Sequence, residues 1–186
     1  MNIIETGIEG LLVIEPKIFG DGRGYFYESY NARDFEAAVG RKVDFVQDNQ
    51  SFSHYGVLRG LHFQLPPHSQ AKLVSVVRGS VLDVAVDLRK GSPTYGKYEA
   101  VELTGENHLR FFIPRGFAHG FVVLSKTALF QYKCDSFYAP ESDCGLAWND
   151  PDIGIKWPVA PEDIILSEKD RRHGFLKDFD SPFTYR

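Results

Sequence analysis

The sequence predicts an antiparallel all-β domain, a sandwich or barrel with few helices, and three observations carry that expectation. Short runs rich in Val, Ile, Leu, Phe and Tyr recur from one end of the chain to the other, each closed by Gly, Pro, Asn or Asp, which is the punctuation of strands joined by turns. Helix signals are confined to one short segment after Asn31 and one in the tail. The 186 residues, 43% hydrophobic and 14% aromatic, suffice to bury one core, so a single domain spanning 1–186 is expected.

In chain order, strands are expected at 11–14 and 25–30, separated by the F-G-D-G-R-G loop, from which Arg23 projects. There Arg23 is either a solvated loop residue or an anion contact. Asn31 suits the cap of a helix running through Ala38, with Asp34 in its first turn, Phe35 and Val39 on one face, and Gly40 at its end. Strands follow at 45–49, 57–63, 73–78 and, after a tight turn at Gly79 and Ser80, 81–88. The last of these, V-L-D-V-A-V-D-L, alternates only in part and puts Asp83 and Asp87 on one face, which predicts a wet face or a polar network. Further strands are expected at 98–103 and 110–113 and in P-R-G-F-A-H-G-F-V-V-L and T-A-L-F-Q-Y-K-C-D-S-F-Y. In the last, period-two alternation aligns Phe130, Tyr132, Cys134, Ser136 and Tyr138. From Trp148 onward the Pro- and Asp-rich tail reads as irregular, with one short helix capped by Ser167.

A formal charge of −4, from 21 basic and 25 acidic residues mixed along the chain, offers no polybasic stretch for nucleic acid or an anionic membrane. No apolar run approaches the roughly 20 residues of a membrane span. Cys134 and Cys144, with a start M-N-I-I-E-T-G that has no secretory pattern, are expected as free thiols in a cytoplasmic protein.

The stretch 47–79 gathers His62, Arg59 and Lys72 into strand-type segments where a structural sheet would prefer apolar side chains. Two spacings within and beyond it resemble the paired motifs of the cupin jelly roll. Gly56 leads to His62, Lys72 stands ahead of Gly79, and Pro114, Gly116 and His119 form the second motif. Where metal-binding cupins have a second histidine and a glutamate, this chain has Gln64 and Lys72. An ammonium has donors only and repels a divalent cation, so the expectation is no metal and no cofactor. What remains is a base, a fixed cation and a phenol (His62, Lys72 and Tyr132), the parts needed to move a proton at carbon beside a carbonyl.

Q-D-N-Q-S-F-S, G-V-L-R-G-L-H-F-Q, Q-A-K-L-V, D-V-A-V-D-L-R, F-F-I-P-R-G-F-A-H-G-F, Y-K-C-D, W-N-D-P and L-S-E-K-D together resemble the dTDP-4-dehydrorhamnose 3,5-epimerase family over nearly the whole chain. The resemblance implies a cupin-type double-stranded β-helix with short peripheral helices, an N-terminal strand extension and an irregular C-terminal tail. It implies a metal-free homodimer, with a possible N-terminal strand exchange, acting on dTDP-4-dehydro-6-deoxy-D-glucose on the way to dTDP-L-rhamnose. By resemblance His62 is the general base, Asp170 its carboxylate partner, Lys72 the enolate stabiliser and Tyr132 the general acid. Arg23, Glu28, Gln47, Asp48, Asn49, Arg59, Lys72, His119, Tyr138, Asp143 and Lys169 are the implied substrate contacts, Tyr138 stacking on thymine and Asp143 standing where the family usually has glutamate.

Two points are left open. Arg59 and His62, three apart, fall on opposite faces unless a bulge or bend at Gly60 intervenes. A 3-epimerase acting on the same dTDP-4-keto-6-deoxyhexose class would use nearly the same residues. A non-catalytic sugar-nucleotide-binding cupin has little use for a base and an acid together, and a metal-dependent cupin is disfavoured by Lys72.

Overall fold

The computed structural model describes residues 1–185. In chain order its strands are β1 (Asn2–Glu5), β2 (Leu12–Glu15), β3 (Phe19–Asp21), β4 (Gly24–Phe26), β5 (Gln47–His54), β6 (Leu58–Gln64), β7 (Lys72–Arg78), β8 (Ser80–Asp87), β9 (Tyr98–Thr104), β10 (Arg110–Ile113), β11 (Phe117–Val123), β12 (Thr127–Cys134) and β13 (Asp143–Gly145). They form a six-stranded sheet ordered β1-β2-β10-β7-β12-β5, a five-stranded sheet ordered β13-β6-β11-β8-β9, and the separate hairpin β3-β4. From β5 to β8, and again from β9 to β12, each step along the chain changes sheet. That alternation produces a double-stranded β-helix, the jelly roll, with every ladder antiparallel.

The core between the sheets is built from alternate residues of both: Val74, Val76, Phe111, Ile113 and Phe130 from one, Val81, Ala85, Phe117 and Phe121 from the other. Phe121 and Phe130 stack across the gap with ring centroids 4.1 Å apart. The opposite face of the five-stranded sheet is also dry, because Leu61, Phe63, Val84, Val86 and Ala118 are covered by Leu146, Ile153, Leu176 and Phe183 of the C-terminal tail. Burial on both faces is why β8 alternates only in part.

The helix α1 (Ala32–Val39) lies on the outer face of the six-stranded sheet, seating buried Phe35 against Ile14, Leu73 and Phe112. Asn31 caps it, accepting from the Asp34 N–H at 3.4 Å, and Gly40 ends it in the left-handed conformation.

Several local expectations are corrected. The stretch 25–30 is strand only at Gly24–Phe26, and the preceding Gly-rich loop is the other arm and turn of a hairpin. Gly79 is a corner where the chain passes from one sheet to the other, since β7 and β8 belong to different sheets. Among the described residues the tail from Trp148 carries three 3-10 helices, of which Asp170–Arg172 is the one with Ser167 at its start, Ser167 Oγ accepting from the Asp170 N–H at 3.1 Å. Among the described residues no helix is long and apolar enough to cross a membrane.

Candidate active site

One irregularity in the five-stranded sheet sets the position of the reactive groups. Along β11, His119 pairs with His62 and Phe121 with Arg59, so three residue steps on β6 oppose two on β11. The extra residue is a bulge at Gly60, and it returns Arg59 and His62 to the same, inward face. Gly60 has φ +135°, and a Cβ there would stand 2.6 Å from the Gly120 Cα, so the strands can approach only without a side chain.

On that inward face the Nε2 of His62 meets the Asp170 Oδ1 at 2.5 Å. The tail's 3-10 turn delivers Asp170, whose side chain is 5% exposed, whereas His62 remains 32% exposed. Burial opposes ionisation of Asp170, but the neighbouring His173 and His62, with the Ser167 hydroxyl, outweigh it and hold the carboxyl well below the usual carboxylate range. With Nε2 committed to Asp170, Nδ1 is the nitrogen His62 has left to accept a proton.

The six-stranded sheet supplies the groups opposite. Lys72 and Tyr132, on adjacent strands β7 and β12, put the ammonium 6.0 Å from the ring centroid. Burial pushes the Lys72 ammonium down and the Tyr132 phenol up. Neither side chain has a hydrogen-bond partner among the described residues, so both are available to a bound molecule. Cys134, opposite Lys72 in the ladder, is pushed up to about 11 by burial and is an unreactive thiol. Arg59 donates from Nε to the Ser53 Oγ at 3.1 Å.

His119 is buried and its Nε2 lies 2.9 Å from the Asp83 Oδ2. Burial pushes the imidazole down, which leaves it neutral and donating to Asp83. The sequence expectation of a polar network on β8 is met by this pair and by Asp87, which accepts from Arg89, Ser92 and Thr94.

Tyr138, Asp143 and Lys169 meet at the rim, where Asp143 accepts from the Tyr138 hydroxyl at 2.8 Å and from the Lys169 ammonium. Gln47 and Asn49 join them from β5: the Gln47 amide donates to the Asn49 Oδ1 at 3.0 Å, while its Oε1 accepts from the Tyr138 N–H.

Three expected contacts are not brought to this face within the chain. Strand alternation sends Asp48 to the outer face, where both its oxygens accept from Lys133 at 3.0 Å. Arg23, 91% exposed at the β3-β4 turn, is paired with Asp21 at 2.6 Å. Glu28 accepts from Asn31 and lines an outer-face cleft of about 160 Å³ with Ile14, Tyr30 and Phe35. That cleft and a second one of about 270 Å³ by Asp48 and Lys133 both lie away from His62.

The four positions that hold metal in metal-binding cupins do not fit a divalent cation. Gln64 spends its amide on the His68 and Phe137 carbonyls, at 2.6 and 3.2 Å, and its oxygen on the Ala139 N–H. His119 is engaged with Asp83, and Lys72 is a cation. His62, Asp170 and His173 place their donor atoms within 4.8 Å of one another. Their 2.5 Å His62–Asp170 contact is nevertheless tighter than the ~3.3 Å between two ligands of a tetrahedral zinc. His173 was missed in the sequence, where only its spacing three residues beyond Asp170 marked it.

A jelly roll with a histidine–carboxylate dyad facing an ammonium and a phenol holds the groups that can move a proton on carbon. The family model of dTDP-4-dehydrorhamnose 3,5-epimerase matches residues 5–178. A dTDP-4-dehydrorhamnose 3,5-epimerase of Shigella flexneri is 56% identical over 170 residues, 91% of this chain and 93% of that one. The crystal structure of the Elizabethkingia anophelis enzyme superposes with a TM-score of 0.93 at 54% identity, covering 96% of this chain and 97% of that one. A Legionella pneumophila epimerase in complex with dTDP-4-keto-L-rhamnose gives a TM-score of 0.95 at 51% identity over 100% and 98% of the two chains. The chain belongs to the dTDP-4-dehydrorhamnose 3,5-epimerase family, and it is an isomerase.

Proposed function

We propose that the protein inverts carbons 3 and 5 of dTDP-4-dehydro-6-deoxy-D-glucose, giving dTDP-4-dehydro-L-rhamnose for dTDP-L-rhamnose synthesis. Both carbons flank the 4-keto group, so removal of either hydrogen yields an enolate on the same oxygen. One set of groups therefore serves both inversions. His62 abstracts the proton, and Asp170 holds its ring and balances the imidazolium that forms. Lys72 places a cation at the developing enolate oxygen, a contribution of the oxyanion-hole kind. Tyr132, kept protonated by burial, returns a proton to the opposite face of the carbon.

The rim binds the nucleotide: Tyr138 offers a ring face to thymine, Lys169 and Arg59 offer charge to the diphosphate, and Gln47, Asn49 and Asp143 offer polar contacts, while His119, deeper beside His62 and tied to Asp83 through Nε2, has only Nδ1 left for the hexose. The working unit is a homodimer in which Arg23 and Glu28 reach the site of the other copy. This is supported by apolar groups left in water on the hairpin and the outer sheet face, among them Phe26 at 67% and Phe52 and Val77 at 50% exposure. The two cysteines, unpaired in the fold, suit a cytoplasmic enzyme that meets nucleotide sugars where they are made.

The observation that carries this reading is the 2.5 Å contact between His62 and Asp170, which joins a base to a buried carboxylate across the barrel from Lys72 and Tyr132 on the facing sheet. The test is incubation of chelator-treated protein with dTDP-4-dehydro-6-deoxy-D-glucose in deuterated water, with exchange at each hexose carbon read by NMR. Deuterium at carbons 3 and 5 is expected. Exchange at carbon 3 alone would make the protein a 3-epimerase, and none in a protein that binds dTDP would overturn the assignment.

A further inference from the structure

His173 has no part in the chemistry just described, yet its surroundings are built around it. Its side chain is 11% exposed, and its Nε2 is buried without a hydrogen bond. The Asp170 Oδ1 stands 3.5 Å from that nitrogen, on the same oxygen that His62 holds at 2.5 Å. The two rings meet edge to face, 5.7 Å between centroids at 76°. Leaving a ring nitrogen buried and unpartnered is costly, and folds retain such a group where it serves a purpose.

The backbone secures His173 from two sides. Leu146 forms a parallel bridge with Gly174, and the Ala147 N–H donates to the Gly174 carbonyl at 2.9 Å. Gly145, directly opposite His62 in the β13-β6 ladder, faces the ring, and a Cβ there would stand 2.5 Å from the His173 Nε2. A glycine at this ladder position makes the room that the imidazole occupies.

We propose that His173 is a positioning residue for the epimerisation: it shares the Asp170 carboxylate with His62, fixing its orientation and limiting how strongly it holds His62 once that ring has taken a proton. The inference rests on the epimerase reading above. A base that acts at two carbons must shed one proton before taking the next. A carboxylate devoted wholly to His62 would favour the protonated ring and slow that release.

The experiment is the pH profile of kcat/KM for the full chain, His173→Leu and His173→Gln, each shown folded by its melting curve. Leucine fills space without a donor, so His62 inherits the whole carboxylate. The acidic limb then moves up by ~0.5–1 pH unit, a loss of about three- to tenfold on that limb that shrinks toward the alkaline plateau. Glutamine carries an N–H at the distance of Nε2 and returns the limb to its original position.

The other groups around the dyad are Lys169 on the tail, Asp143 on β13, His119 on β11 with Asp83 behind it, and Lys72 on β7. All remain in every variant, so their fields cancel from the comparison. If His173→Leu does not fold, His173→Asn replaces it, because its amide is too short to reach Oδ1 and its limb must still move. Coincident limbs in the donor-less and parent proteins, or a glutamine variant that fails to restore the limb, would overturn the inference. Failure of the parent protein to exchange deuterium would instead overturn the epimerase reading.

Discussion

Two histidine–aspartate pairs lie side by side on the inner face of the five-stranded sheet, His62 with Asp170 and His119 with Asp83, and their histidines are direct partners in one ladder. Each joins a histidine Nε2 to a carboxylate, yet their surroundings drive them in opposite directions. Asp170 is held low, with burial outweighed by His173, His62 and Ser167, and its histidine is partly open. Asp83 is pushed up by burial despite His119, and both its residues are closed off. The difference teaches that a shared hydrogen-bond pattern does not make a shared role. The open pair can gain and lose a proton, whereas the closed pair is a fixed polar strut behind Lys72.

The comparison breaks most visibly at the base. His62→Ala is expected to lower kcat by about a thousandfold, with deuterium exchange at both carbons lost and a lower melting point, because the buried Asp170 carboxylate loses its shortest contact. Asp83→Ala is expected to act on the fold instead, costing about 1–3 kcal/mol by leaving the buried His119 N–H without its acceptor, read as a lower urea midpoint. If Asp83→Ala proved as stable as the parent, the strut reading would fail. Asp170→Asn falls between them, losing about a hundredfold in kcat because the ring keeps a neighbour but not its charge.

Smaller effects sharpen the contrast. Lys72→Met is expected to raise stability by about 1 kcal/mol while abolishing turnover, since on the proposed mechanism a buried ammonium serves the reaction at the fold's expense. The folded Lys72 is lowered, so the unfolded chain binds its proton more tightly, and stability in the parent rises with pH through the window below ~10.4. The methionine variant should lose that alkaline rise. Asp170 works in the acid range: its carboxyl is lowered in the fold, so its contribution is complete above ~3.9 and is lost as pH falls below that value. Asp170→Asn should flatten this acid limb of the urea midpoint.

Strands that bury a face were legible in the sequence, among them β10 and the bulged β6, because alternation and turn residues are local signals. The Asn31 cap and Gly40 end were legible for the same reason. β1 and β13 were not, since each is a few residues long and exists because a neighbour offers a ladder. In the site, Lys72 and Gln64 spoke through their chemistry, whereas Asp170 could be joined to His62 only by resemblance. The placement of Asp48 was legible in principle, because alternation opposes it to Gln47 and Asn49. Arg23 and Glu28 lie on segments that the packing of one chain does not carry to His62.

The dyad is closed by two residues 108 positions apart, one on a central strand and the other on the wrap that covers the outside of the sheet. On the proposed roles, the site is complete only when the tail has docked. Fraying of that wrap parts Asp170 from His62 while both sheets still stand, so if the pair carries the chemistry as proposed, loss of turnover on mild heating should precede loss of β-structure.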